Sequence, residues 1–227
     1  EIFKQPDLAW TLSEIAAGGV DAFYRGSVAK KIVADMEAHN GLITLDDLAN
    51  YDVIEREPVR GTFRGYDIAA MPAPSSGGTH VIQMLNILEN FPLADMGAES
   101  ADALHLMAEA MKFSYADRSK YLGDPDFVKV PTETLVSKTY AEDIASKISL
   151  DRALSSDEIA PGELTIYESD ETTHYSVVDD EGNMVGNTYT LMFSFGSGVV
   201  IEGTGILMNN NMGNFTLRSD IPDAFGL

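Results

Sequence analysis

The sequence contains no cysteine, which excludes disulfides, thiolate zinc sites and cysteine nucleophiles. Basic residues are scarce: 15 Lys and Arg stand against 36 Asp and Glu, a formal net charge of −21. The acidic excess is spread along the chain, so it repels phosphate backbones and anionic lipids and argues against nucleic-acid binding. No apolar run approaches the roughly 18 residues that would span a bilayer, so this segment has no membrane span, and the N-terminal stretch does not read as a signal peptide. The four histidines, His39, His80, His105 and His174, form neither an i, i+4 pair nor an H-E-x-x-H run, so no histidine metal site is expected. Neither a phosphate-binding glycine loop nor a G-x-S-x-G nucleophile elbow occurs.

What remains is an ordinary globular composition, 44% hydrophobic over 227 residues, enough for one sizeable core or two small ones. The chain starts without a Met and stops at Ala224-Phe225-Gly226-Leu227, so it is expected to be a piece of a longer protein.

The first third reads as helical. Leu8 to Ala17 is expected to stop at Gly18-Gly19, Ser27 to His39 to stop near Asn40-Gly41, and Thr44 to cap a short acidic helix. From Tyr51 to Met71 the pattern becomes extended and predicts two or three strands. Pro72 to Gly78 then leads into a helix over about 79–91, read as a tight start to the helix rather than an anion site. A second helix follows from Ser100 to about Tyr121, with Leu104, Met107, Met111 and Tyr115 expected on its buried face. Residues 126–170 look loop-rich, with one helix near 139–148.

After this the period changes from helix to strand. Residues 174–178 and 184–191 flank Asp180-Glu181-Gly182, a loop of the length and type that closes a hairpin. If those three residues are the loop, facing positions sum to 362 and Thr172 lies opposite Thr190, with Cβ atoms about 5 Å apart. A threonine hydroxyl is a weak nucleophile until a base takes its proton, and its own α-amine can do so once it becomes the first residue of a chain. Thr172 begins its strand after a polar stretch and has a second hydroxyl beside it, which marks it as the candidate nucleophile. His174, at i+2, could orient it or serve as a hydrogen-bonded strand residue. The amide run Asn209-Asn210-Asn211-Met212-Gly213-Asn214 follows the apolar segment 205–208, read as a strand, and could turn the chain or grip a polar substrate.

Ordered motifs run nearly end to end: Met71 to Gly78 (MPAPSSGG), Leu85 to Phe91 (LNILENF), Tyr115 to Pro131 (YADRSKYLGDPDFVKVP), Thr172 to Val178 (TTHYSVV), Asn187 to Leu191 (NTYTL), Phe195-Gly196 and Gly205 to Asn210 (GILMNN). On these the chain resembles the γ-glutamyltranspeptidases, also called γ-glutamyltransferases. The resemblance implies an α/β (α+β) fold, an αββα sandwich of the N-terminal-nucleophile hydrolase type, incomplete in this stretch. Residues 1–171 would be the C-terminal part of a large subunit and 172–227 the N-terminal part of a small, catalytic one, joined as a heterodimer after cleavage.

The resemblance also implies a chemistry. Thr172 Oγ attacks the carbonyl of Glu171, an N-to-O acyl shift gives an ester, and water cleaves it, leaving Thr172 as a new terminus. The same hydroxyl then takes the acyl group of a γ-glutamyl amide such as a glutathione-like compound and passes it to water or an amine acceptor. Thr190 hydrogen-bonds the nucleophile, and no cofactor or metal is implied. The family's bacterial members are mostly periplasmic or secreted.

Three positions depart from the family pattern at the side chains that hold the substrate's α-ammonium. Met192 stands in place of Asn, Asn211 in place of Gln, and Asn214 in place of Asp. Weak discrimination for a free α-amine is therefore expected, which favours glutaryl-type (cephalosporin) acylation as the alternative activity; a non-catalytic relative is the third reading. The family's substrate-carboxylate Arg lies upstream of Glu1, and its serine pair and oxyanion-hole glycines lie downstream of Leu227. The 227 residues alone are thus expected to be inactive.

Overall fold

The computed structural model describes residues 2–159 and 172–215. Two compact units are formed, one from residues 2–54 with 172–215 and the other from 55–159.

In the first unit α1 (Pro6–Tyr24) starts with Pro in its first turn, where a missing N–H costs nothing. It does not end at the glycine pair: the helix continues to Tyr24 across a kink at Gly19 (φ 61°, ψ −150°). A glycine takes this conformation without a Cβ clash, so here it bends the helix instead of stopping it. α2 (Ser27–Ala38) and α3 (Leu45–Ala49) follow the expected limits closely. Thr44 caps α3 in a reciprocal capping box with Asp47, whose carboxyl those hydrogen bonds hold below the usual range. Val28 and Ile32 of α2 pack with Ile201 in a core flanked by Trp10, Phe23, Met36, Ile206 and Met208. Thr11 donates a buried hydrogen bond of 2.8 Å to the carbonyl of Thr204, so early and late residues of the chain share one interior.

The second unit begins with the antiparallel hairpin of β1 (Val59–Phe63) and β2 (Tyr66–Ala70), in register from Val59↔Ala70 to Phe63↔Tyr66. α4 (Ser76–Leu88) follows, with Ser75 as its cap accepting from the Gly77 N–H, the tight helix start expected from the sequence. α5 (Leu93–Met96), α6 (Ala101–Tyr121), α7 (Thr132–Leu135), α8 (Lys138–Ala145) and α9 (Ser156–Ile159) complete it. Its core joins Ile87 and Leu88 of α4, Leu106 and Ala110 of α6, and Ala141 and Ile144 of α8.

The buried face of α6 differs from the expectation. Leu104, Met107 and Met111 are exposed, while Ala103, Leu106, Glu109, Ala110, Ser114 and Ala116 face inward. This helix is apolar on more than one side, so its periodicity does not choose a face. Small alanines permit close approach to α4, and the buried Glu109 is neutralised by Lys112 at 2.7 Å, one turn along.

His80 is buried at the start of α4. Its Nδ1 lies 3.0 Å from Gln83 Oε1, Gln83 in turn donates to Asp117, and Tyr140 donates to the same carboxylate. Burial pushes the His80 pKa down, and the nearby Arg118 adds to this against the opposing pulls of Gln83 and Asp117. Protonation would place a second N–H at Nε2, which has no hydrogen-bond partner among the described residues. Because the unfolded chain binds this proton more readily, His80 favours folding above the unfolded value near pH 6.5. That contribution is lost progressively as pH falls below it, toward the depressed folded pKa. Urea unfolding of the full-length protein between pH 7.5 and 5.5 is expected to show stability falling toward acid, with a shallower fall in His80→Gln.

Among the described residues no helix is long and apolar enough to cross a membrane.

Candidate active site

β3 (Thr173–Val178) and β4 (Met184–Tyr189) form an antiparallel hairpin in the first unit. Each of its pairs, from Thr173↔Tyr189 to Val178↔Met184, obeys the register expected from the three-residue loop. Asp179 N–H donates to the Asn183 carbonyl, and Gly182 adopts φ 84°, which closes a three-residue turn with the left-handed residue at its last position. Asp179 also accepts from the Glu181 and Asn183 N–H groups and the Asn183 amide, which depress its carboxyl pKa.

Since Asp179 and Asn183 form a hydrogen-bonded pair, hydrogen-bonded pairs fall at odd positions along β3 and the closer, non-hydrogen-bonded pairs at even ones. His174 and Thr188 are such a close pair, and His174 Nδ1 lies 2.7 Å from Thr188 Oγ1, with Nε2 3.1 Å from Ser176 Oγ. The imidazole therefore clips the two strands together, the hydrogen-bonded strand role weighed for it from sequence. Carrying the register one residue outward puts Thr172 across from Thr190 in the next close pair, on the same face as His174. Thr172 is exposed and Thr190 half-buried. Glu171, the other half of the expected cleavage site, lies outside the described residues.

Past β4 the chain turns sharply. Thr190 Oγ1 accepts the Met192 N–H at 2.9 Å, and Met192 is held at φ 78°, a conformation few non-glycine residues adopt. Two contacts from Asn210 brace this turn: its N–H donates to the Leu191 carbonyl at 3.1 Å, and its Oδ1 accepts from the Phe193 N–H at 3.4 Å. The Met192 side chain is buried, and a methyl placed on Gly213 would lie 3.1 Å from its Cε. Residues Asn211–Asn214 form a single 3-10 turn, within which Asn211 Oδ1 is buried without a hydrogen-bond partner among the described residues. The side chain of Asn214 is outside those described. Thr190, Met192 and the turn carrying Asn211 are thus assembled at one end of the hairpin.

The segment expected as a strand over 205–208 makes only the isolated bridge Val200↔Leu207. Its backbone is instead stitched by single bonds, Met208 N–H to the Val199 carbonyl and Ser197 N–H to the Met208 carbonyl. Gly196 comes so close that a Cβ there would lie 2.2 Å from the Met208 carbonyl oxygen, which explains the glycine of the Phe195-Gly196 motif. Sequence reading did not single out Asn210 as the brace of the Met192 turn. The only signal was its place in the amide run.

A sequence model described as gamma-glutamyltranspeptidase matches residues 1–227. The chain belongs to the gamma-glutamyltranspeptidase family. It is 52% identical over 223 residues to the glutathione hydrolase proenzyme of Escherichia coli (strain K12), covering 98% of this chain and 38% of that protein. It is 46% identical over 211 residues to the acylase ACY 1 proenzyme of Pseudomonas sp. (strain SE83), covering 93% of this chain and 37% of that one. The solved cephalosporin acylase from Bacillus halodurans superposes over 100% of this chain and 39% of its own with a TM-score of 0.83 at 32% identity. The chain therefore spans less than two fifths of these relatives. Its mixture of helices and antiparallel strands is the α+β class of this N-terminal-nucleophile hydrolase family. The sandwich is not complete here, because the described strands form two separate two-stranded hairpins.

Proposed function

We propose that the whole protein is a self-cleaving γ-glutamyl hydrolase or transferase, with Thr172 as nucleophile and Thr190 as its hydrogen-bonding neighbour. What supports this is the hairpin register, observed from Thr173↔Tyr189 to Val178↔Met184, which carried one residue outward would set Thr172 opposite Thr190 beside the braced Met192 turn. In the precursor Thr172 Oγ adds to the Glu171 carbonyl, the C–N bond breaks as the ester forms, and water hydrolyses the ester to free the Thr172 amine. That amine then accepts the hydroxyl proton as Oγ attacks the γ-glutamyl carbonyl, and water or an amine acceptor releases the acyl group. Glutathione-like γ-glutamyl amides are the proposed substrates, in line with the name of the Escherichia coli relative. Met192, Asn211 and Asn214 are the proposed substrate-binding residues, and the buried Asn211 Oδ1, without a hydrogen-bond partner among the described residues, would offer an acceptor for a substrate N–H.

The two pieces made by the cut, residues 1–171 and 172–227, are proposed to remain one heterodimer. Ile201 from the second piece is fully buried with Val28 and Ile32 from the first, a burial that stabilises by about 1.5–3 kcal/mol. The Thr11–Thr204 and Lys31–Gly203 hydrogen bonds also cross between the pieces. We place the protein in the periplasm or outside the cell, as the family resemblance implies. The 227 residues alone are proposed to be inactive, because the family's carboxylate-binding Arg, serine pair and oxyanion glycines fall in the rest of the protein.

Intact-mass spectrometry of the full-length protein is expected to give two species whose masses place a new N-terminus at Thr172. A single uncut mass after prolonged incubation would remove the nucleophile from this reading.

A second reading, a glutaryl-type acylase, is favoured by Met192 where the family pattern has Asn. A buried thioether is a much weaker acceptor for an ammonium proton than an amide oxygen, so this position would select poorly for an α-amine. The acylase relatives point the same way.

A further inference from the structure

We infer that His174 and Thr188 are positioning residues: the hydrogen bond between their side chains pins the start of β3 to β4 and so fixes where Thr172, the residue just before β3, presents its hydroxyl. The inference rests on the role proposed above for Thr172 and adds what keeps that residue in place.

The first described pair of the ladder is Thr173↔Tyr189, immediately after Thr172. Once the 171–172 bond is cut, Thr172 is a chain end held through Thr173 alone, and its position is only as definite as the first pairs of the ladder. Burial gives those pairs little help. Among the described residues every residue of β3 is exposed, and so is every residue of β4 except the half-buried Asn187. A two-stranded ladder without a buried face is marginal on its own, so cross-strand side-chain contacts decide how firmly its open end stays closed. A misplacement of about 1 Å can cost an attacking group a hundredfold in rate, so opening of this end would withdraw the nucleophile while the fold survives.

The side-chain bond sits one pair inside that end. His174 and Thr188 face each other at a non-hydrogen-bonded pair, where the two residues exchange no main-chain bond and their side chains come closest. Nδ1 of the imidazole lies 2.7 Å from Thr188 Oγ1, which supplies the missing link across the strands. Nε2 lies 3.1 Å from Ser176 Oγ, so the ring is held along its own strand as well. Gly186, the partner of Ser176, leaves room for this orientation: a Cβ there would lie 3.6 Å from the ring carbon Cε1. Hydroxyls both donate and accept, so either tautomer of the neutral imidazole satisfies both contacts.

The test uses the full-length protein, with folding scored by circular dichroism, the cleaved fraction by intact mass, and kcat/KM per cleaved molecule on γ-glutamyl and glutaryl anilides. Thr188→Val keeps the branched shape and strand preference of threonine and removes only the hydroxyl, whereas Thr188→Ser keeps the hydroxyl. His174→Phe keeps an aromatic strand former and removes both ring nitrogens. On the anilide that wild type hydrolyses faster, kcat/KM is expected to be at least threefold lower in Thr188→Val than in wild type or Thr188→Ser, and at least threefold lower in His174→Phe than in wild type. Adding Thr188→Val to His174→Phe is expected to lower it by less than a further threefold, because the bond is already gone. A folded Thr188→Val precursor that stays uncut while Thr188→Ser is cut counts as the same loss.

A role confined to strand stability predicts the opposite order, since valine favours a strand more than serine does. Thr188→Val within threefold of wild type or of Thr188→Ser overturns the inference, as does a further loss of threefold or more in the double variant. Should His174→Phe fail to fold, the two Thr188 variants decide alone. A wild-type protein that stays uncut would instead sink the proposed role of Thr172, so the two failures are distinguishable.

Discussion

Thr172→Ala is expected to leave the full-length protein as a single uncut chain and to lower kcat/KM on γ-glutamyl or glutaryl amides by at least about a thousandfold. One substitution does both because, on the proposed mechanism, one oxygen performs both reactions. Without the hydroxyl there is no N-to-O shift, so the α-amine that would act as base in turnover is never released. Thr172→Ser keeps the oxygen and the future amine and loses only a methyl group, so it is expected to cleave and to retain measurable turnover. The contrast separates loss of the nucleophile from damage to the hairpin, since Ala and Ser perturb β3 to a similar degree. Efficient cleavage in Thr172→Ala, read by intact mass, would mean that another residue attacks the 171–172 bond.

The second large effect concerns which acyl group is accepted. With Met192, Asn211 and Asn214 in place, glutaryl anilides are expected to be hydrolysed at least as well as γ-glutamyl anilides. Substituting Asn214→Asp together with Met192→Asn should then move the kcat/KM ratio toward γ-glutamyl by about 10- to 150-fold, the equivalent of one charge-assisted hydrogen bond of about 1.5–3 kcal/mol. The direction follows from charge. A carboxylate at 214 favours the α-ammonium that a glutaryl group lacks, and an amide at 192 provides a strong acceptor where the thioether is only a weak one. A tenfold or greater wild-type preference for γ-glutamyl would show that the departures at these positions do not control specificity.

These two expectations draw on different parts of the chain's legibility. The hairpin register could be read from sequence because a hairpin is local: strand period, loop length and a glycine at the turn fix which residues face each other, and all described pairs keep the register so derived. Helix caps are local in the same way, and Thr44, Ser75 and Ser100 cap their helices through their own side chains. The motif resemblance supplied the chemistry that spacing alone leaves undecided between a structural threonine and a catalytic one.

Other features needed partners far along the chain. The glycine pair at 18–19 bends α1 instead of ending it, since φ freedom at a glycine permits either outcome. The inward face of α6 was settled by what α4 and α8 present to it, in a helix whose apolar residues lie on several sides. The segment 205–208 has strand-like residues, yet it pairs with 199–201 through one bridge flanked by the Ile201 N–H to Ile206 carbonyl and Met208 N–H to Val199 carbonyl bonds, a pairing that depends on residues outside the segment.

What the sequence determined by itself was the family, the register of the β3–β4 hairpin, and the residues present at 192, 211 and 214, because each depends on neighbours in the chain or on the order of motifs. What only the tertiary structure decided was the left-handed Met192, the direction of its N–H and the grip of Asn210. Those arise where two stretches about twenty residues apart pack together, and no local propensity would place a methionine at positive φ without that packing to hold it there.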